Sequence, residues 1–195
     1  MSQGGFVAVV AAVAAVAFGA TWLAAAAPTG AVSPGAAKAA LSGPLAPANA
    51  GLLQCYAPNV EKRTCQSLAG YARSPSGDIE NTAIVLVSTT PTVTMRTVSP
   101  VSTRADQVCG AIREQDITAA ALTVDGEPAT PDQSARLRKV MLAAMGRFLG
   151  REICTAYVPE GGAFIATATV DGTPEPRFNQ KVIWVPPNDG YTIGP

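Results

Sequence analysis

Any chemistry in this chain must be done without histidine. None of its 195 residues is one, which removes the commonest general base, the usual serine and cysteine triads and most zinc sites. Lys38, Lys62, Lys139 and Lys181 stand outside any Ser-x-x-Lys, and no Gly-x-Ser-x-Gly occurs. Gly161-Gly162 leads into a strand-like run and not a helix, so it does not read as a phosphate loop. Acidic residues are what remains. Thr123-Val124-Asp125-Gly126-Glu127-Pro128 recurs as Thr169-Val170-Asp171-Gly172-Thr173-Pro174, five identities in six, fourteen and fifteen residues after Cys109 and Cys154. If the two segments are neighbours, Asp125, Glu127, Asp171 and Glu175 converge, and two carboxylates at suitable separation can hydrolyse a glycoside. The plainer reading is turn chemistry, since Asp-Gly ahead of proline is an ordinary reversal of the chain. Neither copy has calcium-loop spacing, and no cofactor or metal is expected.

Two other constellations could bind rather than react. At 100° per residue Arg136, Lys139 and Arg147 fall in one stripe of a helix, beside an arc of Leu137, Val140, Met141, Ala144, Met145 and Phe148. The stripe is a docking candidate for an acidic partner, peptidoglycan or lipid headgroups; otherwise it is an ordinary solvent face. Trp184 and Tyr191, with Pro186 and Pro187 between them, could present an aromatic surface to peptide or glycan, although burial of Trp184 in a strand is simpler.

The elements that must position these residues are partly legible. Thr130 as cap, Pro131 at the first helical position, Asp132 in the first turn and Gly150 beyond the end predict a helix over 131–149. Leu142 and Leu149 widen its apolar arc to about 200°, which predicts extensive burial. Short helices are expected over 64–72 and 104–114. Strands are expected over 82–88, 92–98, 117–124, 153–158, 163–170 and 181–185, with 153–158 and 163–170 forming a hairpin. The fold class expected is α+β: an antiparallel or mixed sheet of five to seven strands, with the 131–149 helix packed on one face.

Outside that domain, 6–27 is an uncharged apolar run long enough for a bilayer core, read as a signal peptide or an N-terminal membrane anchor. Residues 28–51, rich in Pro, Ala and Gly, read as a linker, which puts a single domain at 52–195. Cys55, Cys65, Cys109 and Cys154 lack metal-site spacing and are expected as disulfides in an oxidising compartment, with Cys55–Cys65 and Cys109–Cys154 favoured among the three pairings. Zero net charge gives no reason to expect a nucleic-acid partner. These observations lead to an exported domain, periplasmic or secreted, and tethered to the inner membrane if 6–27 is kept as an anchor. It is expected to be non-enzymatic and to bind an envelope protein or cell-wall component. An acid-residue hydrolase and a small apolar ligand carrier are the alternatives.

Overall fold

The computed structural model describes residues 39–195; the apolar run at 6–27 lies outside them. Eight strands form a closed barrel: β1 (Leu53–Tyr56), β2 (Ser67–Arg73), β3 (Ile79–Thr89), β4 (Thr92–Arg104), β5 (Gln107–Ala111), β6 (Glu152–Glu160), β7 (Ala163–Val170) and β8 (Gln180–Val185). Each pairs antiparallel with the next, and β8 returns to β1 through Leu53↔Val185 and Gln54↔Trp184. This corrects the expected α+β sheet of five to seven strands with a helix on its face. A sheet that closes on itself buries one face of every strand in its own lumen and loses both edges, so no helix is required to cover it.

Two segments expected as helices are strands for a local reason. Over 64–72, Ser67, Ala69 and Tyr71 alternate inward with Leu68 outward, which suits a pleat better than a helix once partners lie on both sides. Over 104–114 the chain reverses at Ala105-Asp106, with Ala105 at φ 48°, and only Glu114–Ala119 is helical (α1). A tight turn on alanine carries no glycine or Asn-Gly signal. The strand expected over 117–124 is shortened to Ala121–Val124, which pairs with Val93–Arg96 at the start of β4.

The predicted long helix is present as α2 (Pro131–Met145), followed by one 3-10 turn, Gly146–Phe148. Thr130 Oγ1 accepts from Gln133 N at 3.3 Å and Gln133 Oε1 accepts from Thr130 N at 2.8 Å, a reciprocal capping box. Its burial is narrower than expected. Met141, Met145 and Phe148 are buried, but Ala144 is exposed and Val140 is 66% exposed. The helix lies across one end of the barrel, not along a sheet face, so one row of side chains meets the core.

The opposite end is closed by the chain's own start. Residues 43–50 form a 3-10 helix that places Leu45, fully buried, and Leu41 between Ile79 and Val108. Asn49 holds this plug in shape: its Oδ1 accepts from Leu41 N at 2.9 Å, and its Nδ2 donates to Leu41 O at 2.7 Å and Ala46 O at 3.0 Å. The fold therefore begins upstream of Leu52, and the last part of the Pro/Ala stretch is packed structure.

Disulfides join Cys55 to Cys65 and Cys109 to Cys154. The second links residues directly opposite each other on β5 and β6, at the root of the excursion that carries α1 and α2. The first organises a small outer core with Val185, Leu68 and Tyr191, against which Thr192–Ile193 pairs with Thr64–Cys65. In the chain-entropy model, loops of these lengths stabilise by about 3 and about 4 kcal/mol. Two such bonds indicate an oxidising, exported environment. Among the described residues no helix is long and apolar enough to cross a membrane.

Candidate functional site

Along the barrel axis the lumen has three layers. Toward α2 it is apolar and filled, with Val85, Met95, Ile117, Met141 and Phe148 in one cluster. Toward the plug a second apolar cluster holds Leu41, Leu45, Ile79 and Val108. Between them runs a polar belt. β1 turns Gln54 and Tyr56 inward because Leu53 and Cys55, one residue out of phase, face the outer core.

The belt is centred on the Gln54 side-chain carbonyl. Its Oε1 accepts from the hydroxyls of Tyr56 and Tyr71, each at 2.8 Å, while the Tyr157 hydroxyl, 2.7 Å from the Tyr56 oxygen and 3.2 Å from Oε1, shares its one proton between the two. Gln54 is fully buried, and its Nε2 has no hydrogen-bond partner; nor do the buried hydroxyls of Thr97 and Ser99. An unpaired buried donor costs about 1–3 kcal/mol, so such a layer is a feature to be explained. Burial, the largest cause, pushes the Tyr56 and Tyr71 phenols well above their ordinary range and raises that of Tyr157. All three are therefore neutral donors at neutral pH. Beside them is a cavity of about 30 Å³ lined by Tyr56, Tyr71, Tyr157, Asn81 and Thr155 with apolar neighbours and no charged side chain.

Sequence reasoning missed this belt. Its signal was faint: three of the chain's four tyrosines occupy inward positions on strands, but nothing in their spacing joins β1, β2 and β6.

The carboxylates expected to converge are instead bound separately at two turns of the same design. Asp125 and Asp171 each take positive φ, 50° and 48°, ahead of Gly126 and Gly172, in two-residue reversals closed by Val124↔Glu127 and Val170↔Thr173. Each aspartate then clasps the start of a neighbouring strand. Asp125 N donates to Thr92 O at 2.7 Å while its Oδ1 accepts from Thr92 N at 2.8 Å; Asp171 does the same with Glu152, at 2.9 Å and 2.9 Å. Ala129 N to Leu122 O and Glu175 N to Ala168 O complete the match. Asp171 also pairs with Arg151 at 2.7 Å, and Glu175 with Arg177 at 2.6 Å; these arginines hold both carboxyls below their usual range. Among the described residues, no group of three or more acidic or cysteine side chains is arranged to hold a metal ion.

The basic stripe lies where the helix presents it to solvent. Arg136, Lys139 and Arg147 are exposed around Val140, and none of them is in the four ion pairs of the described residues. Arg147 stacks on Phe148 at 4.6 Å, and Phe148 packs edge-on to Phe178 at 5.1 Å. Trp184 and Tyr191 do not share a surface: Trp184 lies beside Tyr71 at the plug end, and Tyr191 packs on the Cys55–Cys65 core. Searches against family models, curated proteins and solved structures find no match to this chain.

Proposed function

We propose that this is an exported, non-enzymatic binding domain that docks an acidic cell-wall component through the outer face of α2. The observation that carries the reading is the exposed set Arg136, Lys139 and Arg147 around Val140, an aliphatic side chain left 66% exposed on the same face. A cationic face with an apolar centre suits a polymer that offers carboxylates and hydrophobic edges together. Ala39 lies at the plug end, where Arg73 Nε donates to its O at 2.6 Å, and α2 is at the other end of the barrel. A periplasmic or secreted location, with 6–27 as signal or anchor, fits this reading.

Co-sedimentation with purified peptidoglycan tests it. The full chain should pellet with the polymer, and Arg136→Glu with Lys139→Glu should reduce the bound fraction by about tenfold, with the wild-type interaction weakening as salt rises. Binding that ignores both charge reversal and salt would remove α2 from the reading.

A further inference from the structure

We propose that the plug end of the lumen is a binding site for a small uncharged amphiphile, a molecule with an apolar body and one hydroxyl or carbonyl end, and that Leu41 and Leu45 occupy the place of its body. Three observations lead there. The floor of this end is the belt, where the Gln54 amide Nε2 is buried and unpartnered and the phenols of Tyr71 and Tyr157 stand at the boundary between polar and apolar layers. The walls above it, Ile79, Val101, Val108 and Trp184, are apolar. The cavity lining carries no charged side chain, so a charged ligand would lose its hydration without compensation.

The size of the cavity fixes how the site must work. About 30 Å³ takes roughly one water molecule. Anything larger needs the space of the two leucines, and the plug is built to leave as a unit. Within 41–51 its hydrogen bonds are its own, from Asn49 to Leu41 and Ala46, from Leu45 N to Ser42 O and from Gly51 N to Ala48 O, and Arg73 Nε ties the segment to the barrel at Ala39 O, 2.6 Å away. α2 has a like tie, Arg138 Nη2 on Ala120 O, and in addition a covalent one that the plug lacks, the cystine at the root of its excursion. An eight-stranded barrel is just wide enough to hold either packed side chains or one small ligand. Here the chain supplies the side chains from a segment that can withdraw.

The test uses the full chain in a Trp22→Phe background, so that emission reports on Trp184, with hexanol, hexane and hexanoate as probes. Hexanol should shift the emission and raise Tm, while hexane and hexanoate bind on the order of tenfold more weakly, the loss of about one hydrogen bond or the burial of a charge. Leu45→Ala should tighten hexanol binding by about tenfold or more, because a competing closed state lowers apparent affinity by the fraction it occupies. Gln54→Leu should abolish the preference for hexanol over hexane, a readout that stands even if Leu45→Ala does not fold. No response to any probe, equal response to hexane and hexanol in the parent, or hexanol affinity unchanged by Leu45→Ala would each overturn the proposal.

Discussion

The two ends of the barrel are closed by opposite means. At one, an excursion between Cys109 and Cys154, 45 positions apart, brings in α1 and α2, and Met141, Met145 and Phe148 complete a continuous apolar core. At the other, a Pro/Ala segment contributes two leucines and bonds mostly to itself. On the proposal above, the first end unfolds with the barrel and the second opens on its own. The difference shows that burial alone does not define what is integral to a fold. Leu45 is more completely buried than Phe148, yet it sits in a cluster of four buried residues and Phe148 in one of sixteen.

Substitutions can break this comparison. The largest effect is expected from Phe148→Ala, which should cost about 3–5 kcal/mol of global stability by leaving a cavity under the cap, seen as a large fall in Tm. Leu45→Ala removes a side chain that is also fully enclosed, but its loss should appear chiefly as faster hydrogen exchange in residues 43–50 with a smaller fall in Tm. If the two variants lowered Tm equally and exchange in 43–50 stayed slow, plug and cap would be energetically alike.

The polar belt that separates the ends makes an intermediate prediction. Burial raises the Tyr56, Tyr71 and Tyr157 phenols above the ordinary value of about 10. The folded state thus keeps protons that the unfolded chain releases. This contribution is complete below about pH 10 and is lost as pH rises through the folded values. Stability should therefore fall at alkaline pH together with the appearance of phenolate absorbance, and Tyr56→Phe should flatten the decline. A phenolate signal that rises well before unfolding would show the belt to be open to solvent.

The smallest effect is expected at the cap-side clasp. Arg151, with the Glu152 backbone N–H, depresses the Asp171 carboxyl. Its stabilisation is present above the unfolded carboxylate value of about 3.9 and fades as pH falls through the lower folded one. Asp171→Ala should lower Tm slightly at neutral pH, by an amount that shrinks at acidic pH as the parent's carboxylate takes up its proton. An equal loss at neutral and acidic pH would assign the residue's role to its backbone conformation alone.

Much of the secondary structure was readable because it rests on local rules. The start of α2 follows from Thr130, Pro131 and Gln133, and five strands follow from runs such as Thr82–Ser88 and Ala163–Val170, whose patterns suit a pleated surface. The Asp-Gly repeat announced two turns, and both formed. Reading failed where a local pattern suited two states. Ser67–Arg73 has helix-compatible residues, and a strand wins there because β1 and β3 both present free backbone to it. Likewise the width of the apolar arc on α2 said nothing of how much core it would meet.

Composition, cysteine count and absence of histidine are properties of the chain itself; with the two Asp-Gly segments and the capping residues of α2, they pointed to a disulfide-bonded domain suited to an oxidising environment, with local turns and a capped helix. Only the tertiary structure decided that the sheet closes, because Leu53↔Val185 joins residues from opposite ends of the domain and no local preference encodes that contact. Closure in turn created the belt: Gln54, Tyr71 and Tyr157 are unremarkable positions on three strands until the barrel aims them at one point.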